Sequence, residues 1–278
     1  VDWNRTKTIF IITFLLLNAF LLYQLLEKKS ASEIDVRAQA TVRERLADMN
    51  IHITEELPEE RSEINHIVGQ PIQMEEEAIN KVGEDNINVL NDRFVEVTLE
   101  DPYEVTSDVE ESISDFLDQY VWNADEYRYE RWNSDDRQMY FNQTYEDKTV
   151  VTYEEDQLVL FFNEDNEIES YVQSYLNFDE EGKEKDMLDP YKAIEVLLND
   201  GIVSFNDQVN EVELGYHSLF SPEGEVQVFT PMYQIEINED KNYLVHAIDG
   251  SIQELAGDSD NNRQNDENET DSGESKED

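Results

Sequence analysis

Thr8 to Leu26 reads TIFIITFLLLNAFLLYQLL, nineteen residues without a charge. As an α-helix such a stretch is ~29 Å long, close to the hydrocarbon thickness of a bilayer. A helix buried in a globular core rarely stays uncharged for so long, so the reading is a membrane span. Trp3 and Tyr23 lie near its ends, where amphipathic rings favour the membrane–water interface. The stretch is longer than the apolar region of a signal peptide. Glu27, Lys28 and Lys29 follow it directly, and Ser30-Ala31-Ser32 is a poor cleavage site in that setting, so an uncleaved single-pass anchor is expected. Charge orients it weakly, because Arg5 and Lys7 before the span are offset by Lys28 and Lys29 after it.

Three polar residues interrupt the span: Thr13, Asn18 and Gln24. At ~100° per residue, Thr13 and Gln24 fall ~20° apart on one helix face, whereas Asn18 points elsewhere. Polar groups in lipid hydrogen-bond across to other helices, at ~0.6–2 kcal/mol each. Gln24 can equally snorkel to the interface, and Thr13 can bond its own backbone. Asn18, near mid-membrane, is the strongest candidate for a helix–helix contact, and a homodimer is among the expected partners.

The segment Asp2-Trp3-Asn4-Arg5-Thr6-Lys7-Thr8-Ile9-Phe10-Ile11, followed by Phe14, Asn18 and Gln24, resembles the start of the YycI (WalI) family. That family consists of accessory membrane proteins of the WalK/WalR (YycG/YycF) two-component system. Val1 stands where the family has Met. The sharp part of the match is the first tenth of the chain; the layout of the rest fits without comparable motifs. The resemblance implies a cell-membrane protein with a cytoplasmic N-terminus and an extracellular C-terminal region. It also implies the sensor histidine kinase WalK (YycG) and the single-pass protein YycH as partners.

Beyond the span the chain is strongly acidic. The net charge is −47; residues 1–29 hold four bases against two acids, so the remainder carries −49. Such a surface repels polyanions, which excludes a nucleic-acid-binding role. There is no cysteine, hence no disulfide, thiol catalysis or zinc–thiolate site. Hydrophobic residues make up 38% of the chain, enough for a core.

The expected fold class is α+β: an N-terminal transmembrane helix, then an extracellular region of antiparallel sheets packed on helices, YycH/YycI-like. The ranges are a cytoplasmic N-terminus 1–7, the span 8–26, a juxtamembrane helix or stalk 27–50, two subdomains 51–182 and 183–256, and an acidic disordered tail 257–278. Ile34, Ala38, Val42 and Leu46 recur every four residues with Met49 three further on, an apolar helical stripe that either packs on the domain or meets a partner. Residues 55–92, broken by Pro58, Gly69, Pro71 and Gly83, read as turns and short elements. Arg93–Leu99 reads as a strand broken by Asp101-Pro102, and Val105–Tyr120 as a helix. Strands follow at Tyr127–Trp132, Gln138–Tyr145, Thr149–Tyr153, Leu158–Asn163 and Glu167–Phe178. Their aromatics suit core packing better than a ligand platform. Asp179–Asp186 reads as a charged linker. Pro190 opens a helix and Gly201 closes it. Strands at Gln208–Ser218, Val226–Asn238 and Asn242–Asp249 end in a segment weakly similar to PepSY-type modules.

Nothing in the sequence points to chemistry. His52, His66, His217 and His246 lack metal-ligand spacing, and there is no phosphate loop or nucleophile elbow. Asp258, Asp260, Asn262, Gln264, Asp266 and Glu269 match calcium-loop spacing, but Arg263 occupies the required glycine position, so the match reads as chance. No catalytic residue, metal or cofactor is expected. The preferred function is a regulator of the kinase acting through transmembrane and extracellular contacts. The alternatives are an anchored module that binds a wall fragment or cation, and an anchored hydrolase without motif support.

Overall fold

The computed structural model describes residues 3–58, 63–73, 75–82, 86–90, 93–153, 156–219, 226–239 and 241–255, with backbone alone at 4–6, 8–9, 25–39, 75–77 and 79. The expected tail 257–278 and its calcium-like spacing lie outside the described residues. The apolar span and the stalk form one continuous helix, α1, Trp3–Asp48. Among the described residues no helix is long and apolar enough to cross a membrane. The side chains at both ends of Thr8–Leu26 are not among those described.

At its far end α1 joins the domain. Val42 and Leu46 are buried against Ala193, Ile194 and Leu197 of α4 (Pro190–Asn199), so this part of the stripe packs on the domain. Arg45 reaches across to Glu195 at 2.6 Å and Asn199 at 3.1 Å, and the Arg43 guanidinium sits over the Tyr191 ring. Asn50 ends the helix in the left-handed region, φ 54°, and lets Ile51 N–H reach the Leu46 carbonyl and Asn50 N–H the Ala47 carbonyl. These two bonds satisfy carbonyls that a helix end leaves open.

The remaining elements are β1 (His52–Ile53), β2 (Glu63–Pro71), α2 (Glu75–Val82), β3 (Ile87–Leu90), β4 (Phe94–Tyr103) and α3 (Val109–Tyr120). Then come β5 (Tyr127–Asn133), β6 (Gln138–Tyr145), β7 (Lys148–Val151), β8 (Leu158–Phe162), β9 (Ile168–Ser174) and β10 (Leu176–Asp186). After α4 follow β11 (Gln208–His217), β12 (Gln227–Ile237), β13 (Lys241–His246) and β14 (Ile252–Leu255). All strands join one sheet, whose main path is β10-β2-β12-β11-β7-β6-β8-β9-β4-β3. β13 and β14 extend from β12, β5 lies beside β6, and β1 runs parallel to β11.

Helices cover the sheet at two places. α1 and α4 bury Val209, Val212, Tyr233, Ile235 and Val245. α3 buries Phe116 and Leu117 against Val97, Leu158, Leu160 and Tyr171. Asp108 caps α3 by accepting the Glu111 N–H, and Asp189 caps α4 by accepting the Lys192 N–H. A third cluster, with Ile67, Leu176, Tyr216 and Phe229, lies between the other two. There the chain leaves β9 and joins β10. The buried Gln143 side chain donates to the Leu176 carbonyl at 2.8 Å and accepts the Leu176 N–H at 3.0 Å, doing with its amide what a neighbouring strand would do.

Three expectations need correction. Asp179–Asp186 is not a linker: it is most of β10, paired with β2 at the end of the sheet path, where charged residues are tolerated because one strand edge faces water. Residues 55–92 hold more than turns and short elements, since the nine-residue β2 lies between β10 and β12. Its Gly69 leaves room for the Phe178–Phe229 edge-to-face pair; a Cβ there would lie 2.8 Å from the Phe229 ring. Asp101-Pro102 does not end β4, which runs on to Tyr103; proline is accommodated where the register with β9 shifts between Thr98 and Tyr103. The strand aromatics mostly pack inward: Tyr127, Tyr140, Phe141, Phe162, Tyr171 and Tyr175 are buried, while Tyr129 and Trp132 are exposed.

Candidate functional site

The N-terminal half of α1 carries exposed apolar side chains all round, including Phe10, Ile11, Phe14, Leu15, Leu17, Phe20 and Leu21. A helix apolar on every side suits an apolar surrounding. Thr13, Asn18 and Gln24 are all exposed on it. The Asn18 side chain donates one N–H to the Phe14 carbonyl at 2.7 Å, a bond within its own helix. Its amide has a second N–H and a carbonyl, which have no partner among the described residues. Asn18 borders a shallow apolar hollow with Phe10, Ile11, Phe14 and Leu15. Thr13 and Gln24 do not line that hollow.

A second candidate is the sheet face that no helix covers. Along β11 the side chains alternate: Val212 and Leu214 turn to the helices, whereas Glu211, Glu213, Gly215 and His217 turn the other way. Gln234 on β12, Thr149 and Val151 on β7, Asn142 on β6 and Arg128 on β5 share that face, and curvature of the sheet encloses a groove of about 490 Å³. At Gly215 the strands close in so tightly that a Cβ would lie 2.9 Å from the Thr149 carbonyl oxygen. His217 lies beside it, 5% exposed, and burial pushes its imidazole down to about 4, so the ring is neutral at pH 7. It has no hydrogen-bond partner among the described residues.

The groove's charges are divided. Burial, then repulsion from Glu213, Glu55 and Glu236, raises the Glu211 carboxyl. Burial also raises Glu130, opposed by Arg131 beside it at 2.7 Å. Arg131 is further held by Asp156 at 3.3 Å and stacks on Tyr140. Arg128 instead donates to the Asp147 carbonyl at 3.1 Å and the Thr149 hydroxyl at 3.5 Å, with no carboxylate partner among the described residues.

The fold brings His66 and His246 together, rings 6.0 Å apart. The His246 Nδ1 accepts the Ile248 and Asp249 N–H groups at 3.1 and 3.3 Å, which fixes its neutral form in the turn. Burial lowers both imidazoles, and Lys185 adds to this. Among the described residues no group of three or more His, Asp or Glu side chains is arranged to hold a metal ion.

The family model described as "YycI protein" matches residues 29–248, most of the chain. The chain belongs to the YycI family. This match begins beyond the apolar segment, so it is independent of the N-terminal resemblance read from Trp3 to Gln24. A YycI-family chain has a regulatory role in the YycG/YycF system and does not belong to an enzyme family. A search of curated proteins finds no match. Among solved structures the chain is similar to an uncharacterized protein from Eubacterium rectale ATCC 33656, with 10% identity and TM-score 0.41, covering 74% of this chain and 86% of that one. It is also similar to YycH from Bacillus subtilis, with 13% identity and TM-score 0.38, covering 73% of this chain and 52% of that one. Both likenesses are loose, and the family assignment rests on the family model.

Proposed function

We propose that this YycI-family protein modulates the sensor kinase YycG (WalK) from within the cell membrane. In this reading the N-terminal half of α1 spans the bilayer as a single pass, with the N-terminus cytoplasmic and the sheet domain extracellular. It works together with YycH, through helix contacts in the membrane and domain contacts outside. One observation carries the reading: the helix that exposes Phe10 to Leu22 is the same unbroken helix that buries Val42 and Leu46 in the domain core. At ~1.5 Å per residue it is about 69 Å long, enough to cross a bilayer and still reach into the domain. A domain seated on such a helix can bias a kinase only by binding one of its states better than the other. Asn18, with amide groups left over after its own helix is served, is the contact expected in the membrane.

The test is co-purification of the full-length chain with the kinase and YycH from membranes, repeated with Asn18→Leu. The wild type should retain both partners, and the variant should retain less kinase and alter its output. Failure of the wild type to retain either partner would end the reading. Unchanged recovery and output with Asn18→Leu would remove Asn18 while leaving the rest.

A further inference from the structure

The helix-free sheet face has features that a merely solvated face does not require. A solvated face of an antiparallel sheet carries polar side chains that water satisfies. His217 is almost wholly buried at the floor of the groove, and its ring has no protein partner among the described residues. Its neutral imidazole offers one donor and one acceptor, as a peptide group does in reverse. Gly215 keeps the floor open beside it, with the His217 Nε2 3.5 Å from where a Cβ would stand. Around this floor Gln234 offers a further amide, and Asn142 offers what its hydrogen bond to Glu130 leaves over. The volume, about 490 Å³, lies within the range of ~300–1,000 Å³ usual for ligand clefts.

We propose that this groove binds a short extended peptide bearing a basic side chain, with the base held by Glu211 and Glu213 and the peptide groups by His217, Asn142 and Gln234. Charge decides the class of ligand. Glu211 and Glu213 stand close to each other and to Glu55 and Glu236, and a cation placed among them relieves their mutual repulsion. Arg128, free of any carboxylate partner among the described residues, is positioned to meet a peptide carbonyl or carboxylate on another wall. A neutral saccharide would leave the repulsion among the glutamates uncompensated, and a net charge of −47 disfavours a plain anion. The inference does not rest on the proposed kinase contact, since it concerns a different surface and a different ligand.

The experiment uses the full-length chain in detergent and a positional library of blocked tetrapeptides, read by enrichment and then by calorimetry on the enriched sequences. Enrichment of Lys or Arg at one position is expected, with binding weakened by added salt. Glu211→Gln with Glu213→Gln should weaken the selected peptide about tenfold, the worth of one charge-assisted contact. Both glutamates are exposed and repel each other, so the double variant should melt no lower than the wild type. His217→Phe, which removes the polar floor, should weaken all enriched peptides alike. An unenriched library, or binding indifferent to the double glutamine variant, would overturn the proposal. So would binding of chito-oligosaccharide in place of peptide, which would make the groove a glycan site.

Discussion

His217 makes the stability of this chain depend on acid in a way that can be calculated. Its imidazole titrates near 4 in the folded protein, because burial disfavours the charged ring, and near 6.5 when unfolded. A lowered folded value means that the unfolded state takes up the proton first. The contribution is therefore complete above about pH 6.5 and is lost as the pH falls toward 4. Across the whole window the loss is about 3 kcal/mol, and by pH 5 it is already about 2 kcal/mol. That is a sizeable share of a stability of ~5–15 kcal/mol. The many carboxylates titrate over the same range, so the measurement must be a difference. Urea unfolding of the full-length chain and of His217→Gln at pH 7.5, 6 and 5 provides it. The wild type should lose about 2 kcal/mol more than the variant between the extremes. Equal losses would refute the reasoning, because they would mean that the buried ring is protonated in both states or in neither.

Two further outcomes are expected. Gly69→Ala pushes a methyl group to 2.8 Å from the Phe229 ring and 3.1 Å from Phe178. It should cost about 1–3 kcal/mol in urea unfolding, and Phe229→Leu in the same chain should recover part of the loss. The self-repulsion of a chain at −47 should ease with screening, so its melting temperature should rise from low salt toward molar NaCl; a flat profile would contradict this.

The parts of the fold that were legible from the sequence are those where one residue type has one meaning. Pro190 and Gly201 bracket α4, and the strand read from Gln138 to Tyr145 coincides with β6. β2 and β10 were not legible for opposite reasons. β2 has Gly69 and Pro71, which read as breakers, although the glycine is there to admit two phenylalanine rings. β10 is so rich in charge that it reads as solvent-exposed chain, and it is in fact a strand with one edge toward water. The groove was half legible. The alternation Glu211, Glu213, Gly215, His217 is visible in the sequence, but the burial of His217 depends on the parallel approach of β7, which local pattern does not reveal. The meeting of His66 and His246 depends likewise on β2, β12 and β13 lying together.

The unbroken course of α1 has a consequence for how a signal could travel along it. A continuous helix acts as a shaft, so a turn applied at one end arrives at the other. Val42 and Leu46 are clamped in the core, with Arg45 tied to Glu195 and Asn199, so the domain grips the shaft firmly. Each residue inserted between the two ends would twist the apolar half by ~100° relative to the domain, and seven would bring it back to within ~20° of its starting phase. If the two ends work as one device, output should vary periodically with the number of residues inserted, and a steady decline with length would mean that the helix only sets a distance.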